Sequence, residues 1–101
     1  MNNKLLSLLG LARKAGRISM GLDASKESME KGKAELLIFS KDISENSASK
    51  ALQTANAKQI PVLILNNTMD EIEWSLGKRT GIIVVNDKGF AKKLTELATE
   101  K

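Results

Sequence analysis

The side chains with the widest chemical repertoire are missing from this sequence. Its 101 residues include no histidine and no cysteine. That excludes Ser-His-Asp and Cys-His nucleophilic chemistry, His- or thiolate-ligated metal, and disulfides. Carboxylates and lysines remain. Asp42 and Asp87 each follow a predicted strand, the place where function tends to sit in open α/β sheets. A magnesium-assisted phospho-acceptor needs two or three carboxylates on one ion, and Asp42 has only Glu45 nearby in sequence. Both aspartates read better as turn formers and helix caps. No glycine-rich phosphate loop of the G-x-G-x-x-G or G-x-x-x-x-G-K-S/T kind is present. The expectation is a non-enzyme with no catalytic residue, no metal and no cofactor.

Cations offer a different kind of chemistry. Sixteen Lys and Arg against twelve Asp and Glu give a formal net charge of +4, which favours polyanionic partners. Their placement is uneven. Arg13, Lys14 and Arg17 straddle a predicted helix end and turn, and Lys26, Lys31 and Lys33 lie on or just after the second predicted helix. Lys41 ends a strand, and Lys78 with Arg79 occupies the loop before the last strand. A helix dipole accounts for Arg13 and Lys14 at a C-terminus, but not for Arg17. The turn at Gly21 opens a helix whose free N–H groups form a ready anion site, for which Asp23 competes. Lys92 and Lys93 on the final helix read as solvating.

The elements that must position these groups follow from periodicity. Leu5, Leu8, Leu9 and Ala12 recur at helical spacing over residues 3–15, with Asn2 or Asn3 as a cap. Arg17 to Met20 alternates like an edge strand, and a second helix over 22–31 closes at Gly32. Three apolar runs, Leu36-Leu37-Ile38-Phe39, Val62-Leu63-Ile64-Leu65 after Pro61, and Ile82-Ile83-Val84-Val85, read as strands buried on both faces. Between them lie a helix from 45 or 46 to 58 and a second that opens on the capping box Thr68-Met69-Asp70-Glu71 and stops at Gly77. A last helix after Asp87 carries Phe90, Leu94, Leu97 and Ala98. Buried strands alternating with helices predict an α/β fold: a three-layer α/β/α sandwich with a four-stranded, largely parallel (mixed) sheet. Residues 1–101 fit one domain. The apolar runs are too short to span a bilayer, and the first residues lack the long apolar stretch of a secretory signal, so the cytoplasm is expected.

The pattern resembles a known family. Gly21 and Gly32 are separated by ten residues and followed by Lys33-Ala34-Glu35-Leu36-Leu37-Ile38. The Ile60-Pro61-Val62 strand start and the helix ending at Gly77 continue the likeness. The chain thereby resembles the kink-turn-binding ribosomal protein superfamily, often called L-seven-Ae. Leu8-Leu9-Gly10-Leu11-Ala12-Arg13-Lys14-Ala15-Gly16-Arg17 and Asp87-Lys88-Gly89-Phe90-Ala91-Lys92-Lys93-Leu94 resemble its bacterial YlxQ-like branch specifically.

This resemblance implies the same sandwich and a structured RNA partner, with ribosomal RNA a candidate, bound by a monomeric, ribosome-associated protein. The superfamily signature G-x-N-E-x-x-K at the start of the second helix addresses tandem sheared G·A pairs. Here Gly21 is kept, while Asn, Glu and Lys become Asp23, Ala24 and Glu27. An ionised Asp only accepts where Asn also donates, and Ala24 removes an acceptor altogether. A lost bidentate contact costs about 1–3 kcal/mol of discrimination, by analogy with DNA readout. Ordinary kink-turn specificity should therefore be gone. The RNA rim implied comprises Gly21, Asp23, Lys26, Lys31, Lys41, Lys78 and Arg79, with Arg13, Lys14 and Arg17 as a second edge. The competing reading is a protein-interaction module that keeps the fold, for which Leu22, Ile43 and Trp74 matter. Trp74 falls off the Met69–Ile72–Leu76 face and is expected to wrap back onto the core.

Overall fold

Leu36–Phe39 and Ile82–Val85 offer apolar side chains to both faces, so each must be covered twice. They form the middle of the sheet. A computed structural model describes residues 3–99. The elements run α1 (Asn3–Lys14), β1 (Ile18–Met20), α2 (Leu22–Glu30), β2 (Leu36–Phe39), α3 (Glu45–Ala57), β3 (Val62–Ile64), α4 (Met69–Leu76), β4 (Ile82–Val85) and α5 (Lys88–Thr99). Strand order is β1-β4-β2-β3. β4 pairs antiparallel with both β1 and β2, and β2 pairs parallel with β3. Three strands thus share one direction, as a largely parallel sheet requires. Because β4 enters centrally and opposed, two of the three ladders are nonetheless antiparallel.

Alternation along the strands divides the core in two. Leu36, Ile38, Ile83 and Val85 meet Leu5, Leu6 and Leu9 of α1, Ile72 and Leu76 of α4, and Ala91 and Leu94 of α5. Leu37, Phe39, Ile82 and Val84 meet Met29 of α2 and Ala51 and Ala55 of α3. The three layers are therefore α1, α4 and α5, then the sheet, then α2 and α3. Full burial of one such Leu or Ile contributes about 1.5–3 kcal/mol. No helix among the described residues is long and apolar enough to cross a membrane.

Two expectations are corrected. β3 is not buried on both faces: Val62 is 38% and Ile64 68% exposed, and only Leu63 and Leu65 turn into the core. It is an edge strand whose second face α3 leaves uncovered. Trp74 does not wrap onto the core either, being 92% exposed. The helix ends largely follow the local signals. Thr68 and Glu71 complete the capping box of α4, Gly77 closes it in the left-handed region, and Asp87 Oδ2 accepts the Phe90 amide at 2.8 Å. The cap assigned to Asn2 or Asn3 lies outside the described side chains. Asp42 also caps a helix, though not the next one. Ser44 opens α3, while Asp42 Oδ1 accepts the Met69 amide at the start of α4 at 2.9 Å.

Candidate nucleic-acid interface

Hydrogen bonds beyond the strands bring several loops, the β3–α4 loop at Asn67 among them, to one end of the sheet. Gly21 N–H donates to the Ile82 carbonyl at 2.9 Å, Ser40 N–H to Gly81 at 2.9 Å, and Lys41 N–H to Asn67 at 2.8 Å. The start of α2, the β2–α3 loop and the α4–β4 loop therefore surround this end together. Gly21 has φ +95° and ψ 163° and acts as N-cap of α2 without any side-chain cap. A residue with a Cβ strains there. The first-turn N–H groups of α2 consequently have no side-chain acceptor at the cap, and Asp23 sits exposed in that turn.

Packing fixes the neighbouring loop. A Cβ on Gly81 would stand 2.5 Å from Ile43 Cδ1 and 2.9 Å from Ser40 Oγ, so the two loops touch at backbone range. Thr80 is buried and its hydroxyl bonds both the N–H and the carbonyl of Ile82 at 3.1 Å. Thr80 and Gly81 thus aim Lys78 and Arg79 outward. Neither was singled out from the sequence, where a short Thr-Gly step looks like any turn.

The charges at this end are not equivalent. Arg79 pairs with Asp70 of α4. Burial works to raise the pKa of Asp42, but hydrogen bonds led by the Met69 amide, aided by the Arg79 charge, outweigh it and hold the carboxyl below its ordinary value. Lys41 and Lys78 are exposed and Lys26 is half-buried, and none forms an ion pair among the described residues. These three cations are free to face a polyanion, while Arg79 is shared with Asp70. Among the described residues no three acidic groups converge as a metal site would need.

Other residues of the expected rim lie elsewhere. Lys31 closes α2 at its far end and bonds Glu27 at 2.6 Å. That contact is the main reason the Glu27 carboxyl is held below its ordinary pKa. Arg17 precedes β1, and its carbonyl accepts the Asn86 N–H just past β4 at 2.8 Å, which places it at the opposite end of the sheet. Lys31 lies off the expected rim because the chain must traverse α2 between it and Gly21, and Arg17, expected on a second edge, is separated from Gly21 by β1. Arg13 behaves differently: its guanidinium lies 3.3 Å from where a Cβ on Gly77 would stand, one residue before Lys78. Lys14 lies beside it on the groove between α1 and α4. Asp23, Ala24 and Glu27 are all exposed on α2, so the surface that carries the kink-turn signature in the resembling superfamily is acidic and truncated here.

Residues 3–95 match the model of the ribosomal protein L7Ae/L30e/S12e/Gadd45 family. The chain is 31% identical over 94 residues to the RNA-binding protein YlxQ of Enterococcus faecium, covering 93% of this chain and 90% of that protein. It is 32% identical over 91 residues to the RNA-binding protein YlxQ of Bacillus subtilis, covering 89% and 90%. A solved protein of unknown function from Bacillus halodurans superposes with a TM-score of 0.87 at 34% identity, over 96% of this chain and 98% of that one. The 15.5kD RNA binding protein of Giardia lamblia superposes with a TM-score of 0.71 at 17% identity, over 97% and 88%, and shares the fold.

Proposed function

This chain belongs to the ribosomal protein L7Ae/L30e/S12e/Gadd45 family, and from that premise we propose that it is a non-catalytic, single-domain RNA-binding protein. It works as a monomer in the cytoplasm and associates with the ribosome. The observation that carries this reading is the gathering of the uncapped α2 N-terminus, Lys41, Lys78 and Arg79 at one end of the sheet, with Lys26 midway along α2. Helix N–H groups and cations of this kind hold phosphates. The names of the YlxQ relatives support it. Asp23, Ala24 and Glu27 lack the donors and acceptors of the kink-turn signature, so the target is a structured RNA recognised mainly through its backbone and shape.

The test is binding of structured ribosomal RNA fragments at several salt concentrations. Each phosphate contact adds about 0.7–0.9 to the slope of log affinity against log salt. Three to four contacts therefore predict a slope of about −2 to −4. A flat slope, or no binding at low salt, contradicts the reading. The altered α2 signature favours one competing function, a protein-interaction module without RNA. Its mark would be a ribosomal protein retained after nuclease treatment while free RNA is not bound.

A further inference from the structure

We propose that the groove between α1 and α4 takes an unpaired nucleobase, stacked on Trp74, with its backbone phosphate held by Lys14 and Arg13. This rests on the RNA-binding reading and adds a single-stranded contact to it. Trp74 is the only tryptophan in the chain, which has no tyrosine. At 92% exposure it leaves nearly its whole ring in solvent, and Leu11 across the groove is 58% exposed. A tryptophan in that position buries almost none of its ring in the core, whereas an exposed aromatic face is what a base stacks on.

The groove is wide enough for such a guest. It has a volume of about 490 Å³ and is lined by Leu6, Ser7, Gly10, Leu11, Lys14 and Trp74. Gly10 lines the floor between the two helices, within van der Waals range of Leu76. A second depression continues from Lys14 to Arg13 and Leu76. From there Arg13 reaches the Gly77 turn, and Lys78 follows directly. One path of cations thus joins the groove to the sheet-end rim.

Charge decides between a nucleic acid and a protein as the occupant. α1 contains Lys4, Arg13 and Lys14 but no acidic residue. Neither Arg13 nor Lys14 forms an ion pair among the described residues. On α4, Asp70 is taken by Arg79 and Glu71 by the capping box, leaving Glu73 as the one acid a phosphate must avoid. A groove with serines on its walls, cations at its mouth and one aromatic plate suits a base with its phosphate. Among the described residues Leu11 is the one strongly exposed apolar neighbour of Trp74 in the groove, whereas a peptide-docking face would ring the tryptophan with several.

Trp74 reports on itself, because all tryptophan fluorescence comes from it. The whole protein is titrated with short unpaired oligouridine and with heparin, a polyanion without bases, while anisotropy records binding independently. Saturable quenching by oligouridine and none by bound heparin is the expected result. Trp74→Ala should weaken oligouridine roughly 5- to 150-fold, the range for one stacked base, with heparin affinity unchanged and Trp74→Phe intermediate. RNA that binds with unaltered fluorescence, and equally well to Trp74→Ala, overturns the inference and leaves the wider RNA reading standing. Quenching by a ribosomal protein but not by RNA also overturns it. Absence of any RNA binding to the wild type overturns the wider reading, and this one with it.

Discussion

At the scale of single residues, small groups matter as much as the cations. Gly81 sits where the α4–β4 loop presses on Ile43, Ser40 and Met69, with no room for a Cβ. Gly81→Ala inserts a methyl at clash distance. Ile43 Cδ1 can swing away, but the short Ser40 side chain has little freedom to do so. The expected loss is about 1–3 kcal/mol of stability, as for overpacking generally, read as a lower urea midpoint with an unchanged slope. The cationic residues were legible as a set, since their types and clustering are plain in the sequence. Their grouping was not. Lys31 and Arg17 are separated from Gly21 by an element each, and spacing alone does not reveal at which end of a sheet a residue emerges. Trp74 was misread for a related reason: a residue just off an apolar helix face is buried or free depending on how the neighbouring helix approaches.

At the scale of elements, Asp42 connects two that are far apart in sequence. It leaves β2, accepts the first amide of α4, and so ties the β2–α3 loop to the helix that carries Trp74. Its carboxyl is held below the ordinary value despite desolvation, chiefly by that amide. The linkage sign follows. A depressed carboxylate contributes stability that is complete above its unfolded pKa and is lost as pH falls through the folded one. Thermal unfolding from neutral to acid pH should show the wild type above Asp42→Asn, with the gap closing on acidification. A gap that widens in acid contradicts the assignment. The capping box of α4 and the glycine stops were readable because they are local. β3 was read as buried on both faces because its run matches β2 in composition, and only strand order reveals that it lies at the edge.

At the scale of the whole molecule, alternating apolar runs and amphipathic stretches sufficed for three layers and a mixed sheet. They could not show β4 inserting between β1 and β2. That insertion has a functional consequence. It sets the entry of β4 beside the exits of β1 and β2, which gathers the α2 start, Lys41 and Lys78–Arg79 at one end and leaves Lys92 and Lys93 on α5, in the layer opposite α2 and α3. Under the proposed function this end, and not net charge, holds RNA. The most direct measurement compares structured-RNA affinity for Lys41→Gln/Lys78→Gln with that for Lys92→Gln/Lys93→Gln across a salt series. Both variants change net charge equally. The first should bind more weakly and lower the salt slope by about 1.4–1.8, two phosphate contacts' worth, while the second keeps the wild-type slope. Equal losses in the two variants would contradict the account.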